Sequence, residues 1–194
     1  MVRTFIAIQF PDGIKQLIDE SITPLRDQVG DRFVRWVDAS LYHLTVKFLG
    51  DVKEELLGDI QQVIRECGSA GQCFELDVGD FGVFPGIRKP RVLWVGLEAR
   101  SNALTSLKES LERSLAPLGF DRENRNFHPH VTVGRVRRRV SHQDTVNLAT
   151  TLDGFSLGRL AEMKIDQVFL MRSELTSSGP IYTPIGRFQL GSGD

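Results

Sequence analysis

Cysteine, histidine and unbalanced charge are all scarce in this chain of 194 residues. The two cysteines, Cys67 and Cys73, form no CxxC pair, which excludes a disulfide framework and a zinc ribbon and leaves two reduced, partly buried thiols. The 24 Lys and Arg against 25 Asp and Glu leave a formal charge of −1. That balance excludes a polycation that coats nucleic acid over its whole surface, but not a local basic patch. The apolar run Phe5–Ile8, closed by Pro11 and Asp12, is too brief for a signal-peptide core, and no later run is long enough to span a bilayer. A cytoplasmic protein with no membrane partner is therefore expected. Several catalytic signatures are missing too: no GxSxG elbow, no Walker loop, no GxGxxG opening a helix, no HExxH, and no histidine–carboxylate spacing suited to a metal. Neither a metal nor a cofactor is expected. What remains, 41% apolar and 25% charged residues, suits a globular protein with a sizeable core.

Hydrophobic periodicity alternates between strands and amphipathic helices. Thr4–Phe10 reads as a strand, followed by a helix with Ile14, Ile18, Ile22 and Leu25 on one stripe. Tyr42–Leu49 reads as a second strand, stopped at Gly50. Asp51 and Glu54 have capping-box spacing and open a helix carrying Leu56, Leu57, Ile60, Val63, Ile64 and Cys67. Phe74–Phe84 is a strand, and Pro85-Gly86 marks a turn. The pattern then starts again with strand Arg91–Leu97, a helix carrying Leu104, Leu107, Leu111, Leu115 and Leu118, and strand His130–Val136. A short helix capped by Ser141 and Asp144, strand Met163–Met171 and strand Ile181–Leu190 complete the chain, with 191–194 as a disordered tail. The order of elements predicts one domain over 1–194 built of two approximate repeats, 1–86 and 87–194, packed about a pseudo-two-fold axis.

Of the four histidines, His43, His128, His130 and His142, two open the same pattern, His-x-Thr: His43-Leu44-Thr45-Val46 and His130-Val131-Thr132-Val133. With ten threonines in the chain, two such hits among four histidines arise by accident in roughly one or two sequences per hundred. Both fall on matched elements of the two halves. Because side chains alternate across a strand, each histidine shares a face with its threonine while Leu44 and Val46, or Val131 and Val133, point into the core. A lone His-x-Thr is usually a surface or hydrogen-bonded structural pair. Two of them opposed across a cleft would present two imidazoles and two hydroxyls to one bound group. Two imidazoles suit a reaction that needs a proton donor and a proton acceptor near neutral pH, such as in-line opening of a phosphodiester, and hydroxyls suit its non-bridging oxygens.

The remaining polar residues are less decisive. His128, just before Pro129, shapes the loop entering its strand, and His142 reads as solvated. Arg122, Arg125, Arg135, Arg137, Arg138 and Arg139 cluster around the second motif, and Arg88, Lys89 and Arg91 form a second group. Such runs are usually solvated faces, but these two could hold a polyanion near the histidines. By parity Arg135 lies opposite His130 and reaches the cleft only if Gly134 introduces a bulge. Phe48 likewise lies opposite His43, which favours core packing over base stacking.

On these residues the chain resembles the 2H phosphoesterase superfamily, and within it the RNA 2′,3′-cyclic phosphodiesterase branch historically called 2′-5′ RNA ligase. The resemblance runs through His43-Leu-Thr-Val-Lys-Phe-Leu-Gly50, Gly82-Val-Phe-Pro85 with Pro90-Arg-Val-Leu-Trp94, Phe127-His-Pro-His-Val-Thr-Val-Gly-Arg135, and Ser173-Glu-Leu-Thr176 with Gly179-Pro-Ile-Tyr182. Val46 and Val133 stand where the family more often has leucine. The resemblance implies an α+β, bilobal 2H phosphoesterase fold in which two pseudo-symmetric lobes with antiparallel sheets flank a V-shaped cleft. It implies metal-independent hydrolysis of an RNA 2′,3′-cyclic phosphate end to a 2′-phosphomonoester. His43 would be the proton donor to the leaving 3′-oxygen, His130 the acceptor that activates water, and Thr45 and Thr132 the phosphate ligands. Chemistry alone requires one donor and one acceptor and does not say which is which. Arg135, Arg88 and Arg91 are candidate substrate-binding residues, the partner is RNA, tRNA fragments included, and a monomer is expected. Alternatives are 2′-5′ ligation of tRNA halves, a small nucleotide cyclic phosphate or 2′-5′-linked oligonucleotide as substrate, and an RNA-binding module that does not catalyse.

Overall fold

A computed structural model describes residues 1–194 apart from 124, 139, 140, 178 and 192–194. The first apolar run forms strand β1 (Val2–Gln9), and the stripe after it forms helix α1 (Asp12–Val29), which buries Ile18, Ile22, Leu25 and Val29. A three-residue strand β2 (Val34–Trp36) precedes the first motif strand, β3 (His43–Val52). Helix α2 (Leu57–Ala70), strand β4 (Phe74–Phe84), strand β5 (Val92–Ala99) and helix α3 (Ala103–Leu115) lead to the second motif strand, β6 (His130–Val136). Helix α4 (His142–Asp153) and strands β7 (Ala161–Ile165), β8 (Gln167–Thr176) and β9 (Gly179–Gln189) complete the described chain.

Two antiparallel sheets result, one ordered β3-β1-β8-β9 and the other β2-β6-β5-β4-β7. In each, a motif strand lies beside the strand from which its own helix departs: β3 beside β1 across α1, and β6 beside β5 across α3. This is the bilobal, pseudo-symmetric α+β arrangement, and β3 and β6 approach each other across the cleft between the lobes. Both sheets contribute to one continuous apolar core that takes in Ile6, Leu44 and Leu170 as well as Val78, Leu93 and Val131.

Several local expectations change. The sheets do not divide the chain into 1–86 and 87–194: β8 and β9 return to the first sheet, while β2 and β4 belong to the second. The apolar run Met163–Met171 is two strands in different sheets, parted at Asp166, because each end pairs with a different partner, β4 or β1. Asp51 and Glu54 form no capping box. Strand β3 runs on to Val52, a 3-10 turn covers Glu54–Leu56, and α2 starts with no side-chain cap. The expected helix through Leu118 ends at Leu115 in a 3-10 turn that contains Pro117. The Ser141 cap is present and accepts from the Asp144 N–H at 3.1 Å. Of the expected tail, Gly191 donates to Gly68 O at 3.0 Å and bridges Gln72, and 192–194 lie outside the described residues, as does Arg139. Both cysteines are free thiols. Among the described residues no helix is long and apolar enough to cross a membrane.

The lobes are tied by a buried charge cluster. Lys47 on β3 donates to Glu112 on α3 at 2.5 Å and to the Asp121 carbonyl at 2.9 Å. Lys108 donates to the other Glu112 oxygen at 2.9 Å, to Glu123 at 2.9 Å and to the Val46 carbonyl at 3.2 Å. Burial works against ionisation of Glu112, but the Lys47 and Lys108 hydrogen bonds outweigh it and hold the carboxyl below the usual range. Removing the shared anion leaves the buried Lys47 ammonium without a carboxylate and Lys108 with Glu123 alone. Glu112→Ala should therefore cost about 3–5 kcal/mol of unfolding free energy in a denaturant titration. A loss under about 1 kcal/mol, the range of exposed pairs, would show that the cluster is not desolvated.

Candidate active site

Each motif strand is anchored as alternation requires. Leu44, Val46, Val131 and Val133 are buried in the core, and His43, Thr45, His130 and Thr132 face the cleft. The alternation then breaks at the same motif position in both strands. Ile6 pairs with Lys47 and Ala7 with Thr45, so Val46 is an extra residue, and Leu93 pairs with Gly134 and Trp94 with Thr132, so Val133 is another. Such a bulge reverses the parity of the residues beyond it. In the first strand Lys47 turns inward to Glu112 and Phe48 turns out. In the second strand Gly134 turns inward, where an added Cβ would lie 2.8 Å from Val34 Cγ1, and Arg135 turns out.

Arg135 therefore enters the cleft, but through a bulge at Val133 rather than the one expected at Gly134, which pairs with Leu93. Phe48 overturns the core expectation: it is 48% exposed in the cleft wall, with the Arg3 guanidinium 4.7 Å from its ring centroid.

The cleft has a volume of about 660 Å³ and brings His43, Thr45, His130, Thr132 and Arg135 together. Both histidines are oriented alike. His43 Nδ1 lies 2.7 Å from the Leu41 carbonyl, and His130 Nδ1 lies 2.7 Å from the His128 carbonyl. A carbonyl only accepts, so Nδ1 carries a proton in every protonation state, and the titrating proton is left on Nε2. His43 Nε2 is 3.0 Å from the Thr45 hydroxyl, which donates to it when the ring is neutral and accepts from it when the ring is charged.

Aromatic rings desolvate the pair. Phe5 and Tyr182 lie 5.0 and 5.2 Å from the His43 ring centroid. Phe84 and Trp94 lie 5.0 and 6.2 Å from that of His130. Burial is the main reason that both imidazoles sit below their ordinary pKa. The Leu41 and His128 carbonyls act in the opposite direction, and nearby positive charge adds to the lowering: His130 and Lys15 for His43, and His128 and Arg135 for His130.

The other expected residues fall outside the cleft. His128 orients His130 through its carbonyl and packs its ring 4.8 Å from Trp94. Arg91 lines a neighbouring depression, and Arg88 is exposed on the loop after β4 and lines neither cavity. Arg122 and Arg125 are exposed and line neither as well. Arg3, Phe5, Arg35 and Tyr182 are among the cleft residues that carried no signal of their own as site residues. Tyr182 lay in a stretch that carried the resemblance, whereas Arg35 sits on β2, which is too short to show a period. Among the described residues no three of His, Cys, Asp or Glu gather as a metal-ligand set.

The family model of the 2′-5′ RNA ligase superfamily matches residues 15–176. The chain belongs to this superfamily. It is 34% identical over 189 residues to an RNA 2′,3′-cyclic phosphodiesterase of Methanothermobacter thermautotrophicus, covering 97% of this chain and 99% of that one. It is also 34% identical over 193 residues to an RNA 2′,3′-cyclic phosphodiesterase of Aquifex aeolicus, covering 98% of each. Among solved structures, E. coli LigT complexed with 3′-AMP superposes with a TM-score of 0.75 at 27% identity, covering 97% of this chain and 98% of LigT. TT0787 of Thermus thermophilus superposes with a TM-score of 0.79 at 25% identity, covering 99% of this chain and all of TT0787. This superfamily member therefore has the 2H phosphoesterase fold that its two motifs imply.

The burial of both rings makes a direct prediction. In an NMR titration of the free protein, His43 and His130 should both show midpoints below the ordinary imidazole value of about 6.5. A midpoint at or above that value for either would mean that its ring is solvated or faces an anion.

Proposed function

We propose that the protein hydrolyses RNA 2′,3′-cyclic phosphodiester ends to 2′-phosphomonoesters by metal-independent catalysis with two histidines. The observation that carries this reading is the pair of Nε2 atoms presented to one cleft by two matched strands, each tautomer held by a backbone carbonyl. The shared name of the Methanothermobacter and Aquifex relatives supports the substrate class.

In the proposed reaction the cyclic phosphate sits between the two motifs. Its non-bridging oxygens accept hydrogen bonds from the Thr45 and Thr132 hydroxyls, with the Arg135 charge nearby. His130 Nε2 takes a proton from a water molecule as the water oxygen bonds to phosphorus. The P–O3′ bond breaks on the opposite side, and its electron pair goes to O3′, which takes the proton from His43 Nε2. Placing the donor at His43 and the acceptor at His130 follows motif position in the superfamily, and nearby positive charge lowers both rings, Lys15 that of His43 and Arg135 that of His130. Of the three arginines considered for substrate binding, Arg135 is retained in the cleft, Arg91 belongs to the adjoining depression, and Arg88 is given no role.

The test is turnover of an oligonucleotide ending in a 2′,3′-cyclic phosphate with EDTA present. The native protein should give a 2′-phosphate at an undiminished rate. His43→Ala and His130→Ala should each lower kcat by on the order of 10²–10⁴ while RNA binding persists. Native-like hydrolysis by either variant, or inhibition by the chelator, would defeat the mechanism.

One imidazole must start charged and the other neutral, so the rate must be bell-shaped in pH. The reactive singly protonated pair is most populated between two pKa values that are both lowered. The kcat/KM optimum should therefore lie below about 6.5, falling as pH rises because the donor loses its proton. An optimum at alkaline pH would contradict it.

A further inference from the structure

A second depression of about 920 Å³ adjoins the catalytic cleft, walled by Arg35, Arg91, Arg135, Arg137 and Arg138 with Val92 and Val136 between them. It is continuous with the cleft, because Arg35 and Arg135 line both. Sheet register explains the convergence. Arg35 pairs with Arg135 between β2 and β6, and Val92 pairs with Arg135 between β5 and β6. The Val136 N–H donates to the Arg91 carbonyl at 3.0 Å, and Arg137 Nε donates to the Asp31 carbonyl at 2.8 Å, which fixes both ends of the row.

The charge here is uncompensated. Among the described residues no carboxylate forms an ion pair with any of these five arginines, whereas Arg26, Arg100, Arg159 and Arg172 each pair with Asp or Glu. In a chain whose formal charge is only −1, five guanidinium groups without a carboxylate partner around one depression make a strong local positive potential. Guanidinium forks match phosphate oxygens in geometry, and the lining holds only arginine and valine, with no aromatic ring or side-chain amide to read a base.

We propose that this groove holds the phosphodiester backbone on the 5′ side of the cyclic-phosphate end, without regard to sequence, so that oligonucleotides are taken in preference to mononucleotides. The proposal rests on the cyclic-phosphodiesterase reading of the cleft. The terminal nucleotide occupies the catalytic cleft, and the Arg35–Arg135 pair forms the ridge over which the strand passes. Arg91, Arg137 and Arg138 then neutralise upstream phosphates without touching the reacting group.

The experiment compares native protein with the double variant Arg137→Gln/Arg138→Gln on two substrates, a mononucleotide 2′,3′-cyclic phosphate and a pentanucleotide with the same end. Fluorescence anisotropy of a labelled pentanucleotide carrying an unreactive 3′-phosphate accompanies the kinetics. The native KM should be lower for the pentanucleotide and rise steeply with salt. The double variant should raise that KM about tenfold and leave mononucleotide kcat/KM unchanged. The slope of log K against log salt should shrink by about 0.7 for each phosphate no longer neutralised. An Arg137→Lys/Arg138→Lys variant should recover most of the binding. Unchanged pentanucleotide binding, or an equal loss on both substrates, would overturn the groove. If the native protein turned over neither substrate, the reading of the cleft would fail, and the anisotropy arm would still decide whether the groove binds RNA.

Discussion

The proposed catalytic arrangement depends on one interaction made twice. In each lobe an imidazole Nδ1 donates to the carbonyl two residues earlier in the chain, Leu41 for His43 and His128 for His130, both at 2.7 Å. An acceptor-only partner at that position gives the ring a single neutral tautomer with its free lone pair on Nε2, so each histidine can gain or lose a proton only toward the cleft. Both partners belong to the segment that enters the motif strand, and strand entry and ring orientation are thus set together. His128 matters through its backbone, which accounts for a histidine that never lines the cleft.

Two oriented rings make one site only if their lobes are held together. The buried Lys47–Glu112–Lys108 cluster supplies that link. It joins β3 to α3 and, through Asp121 and Glu123, to the segment leading into β6. The bulge at Val46 connects this cluster to the chemistry. It turns Lys47 inward toward Glu112, its own carbonyl accepts from Lys108, and it turns Phe48 outward into the cleft. The matching bulge at Val133 exposes Arg135. One backbone device, repeated by pseudo-symmetry, thus places an aromatic ring on one wall and a guanidinium on the other, each five residues after its histidine.

The same bulges mark what could be read in the sequence and what could not. The two His-x-Thr pairs were legible because strand alternation puts both polar residues of each motif on one face, and the structure keeps them there. Arg135 was legible only conditionally, on a bulge expected at Gly134 that the pairing places one residue earlier, at Val133. Phe48 was misread because Lys47 offered no comparable warning: parity predicted a core phenylalanine, and only the partner of the buried lysine, Glu112, 65 residues away, reverses it. The sheet assignment of β8 and β9, the three-residue β2 that carries Arg35, and the break at Asp166 depend on pairing between distant segments, which leaves no periodic trace. The aromatic pair around His43, Phe5 on β1 and Tyr182 on β9, comes from opposite ends of the chain and became visible only in three dimensions, whereas Phe84 and Trp94 beside His130 lie on the consecutive strands β4 and β5.

The proposed chemistry stands or falls on whether His43 and His130 act on one phosphorus atom from opposite sides. A crystal structure of the protein with a nucleoside 2′,3′-cyclic vanadate, a five-coordinate mimic of the transition state, measures this most directly. One Nε2 should lie about 3 Å from the apical oxygen that stands for water, and the other about 3 Å from the apical O3′. Both imidazoles on the same oxygen, or either ring turned away from the vanadate, would contradict it.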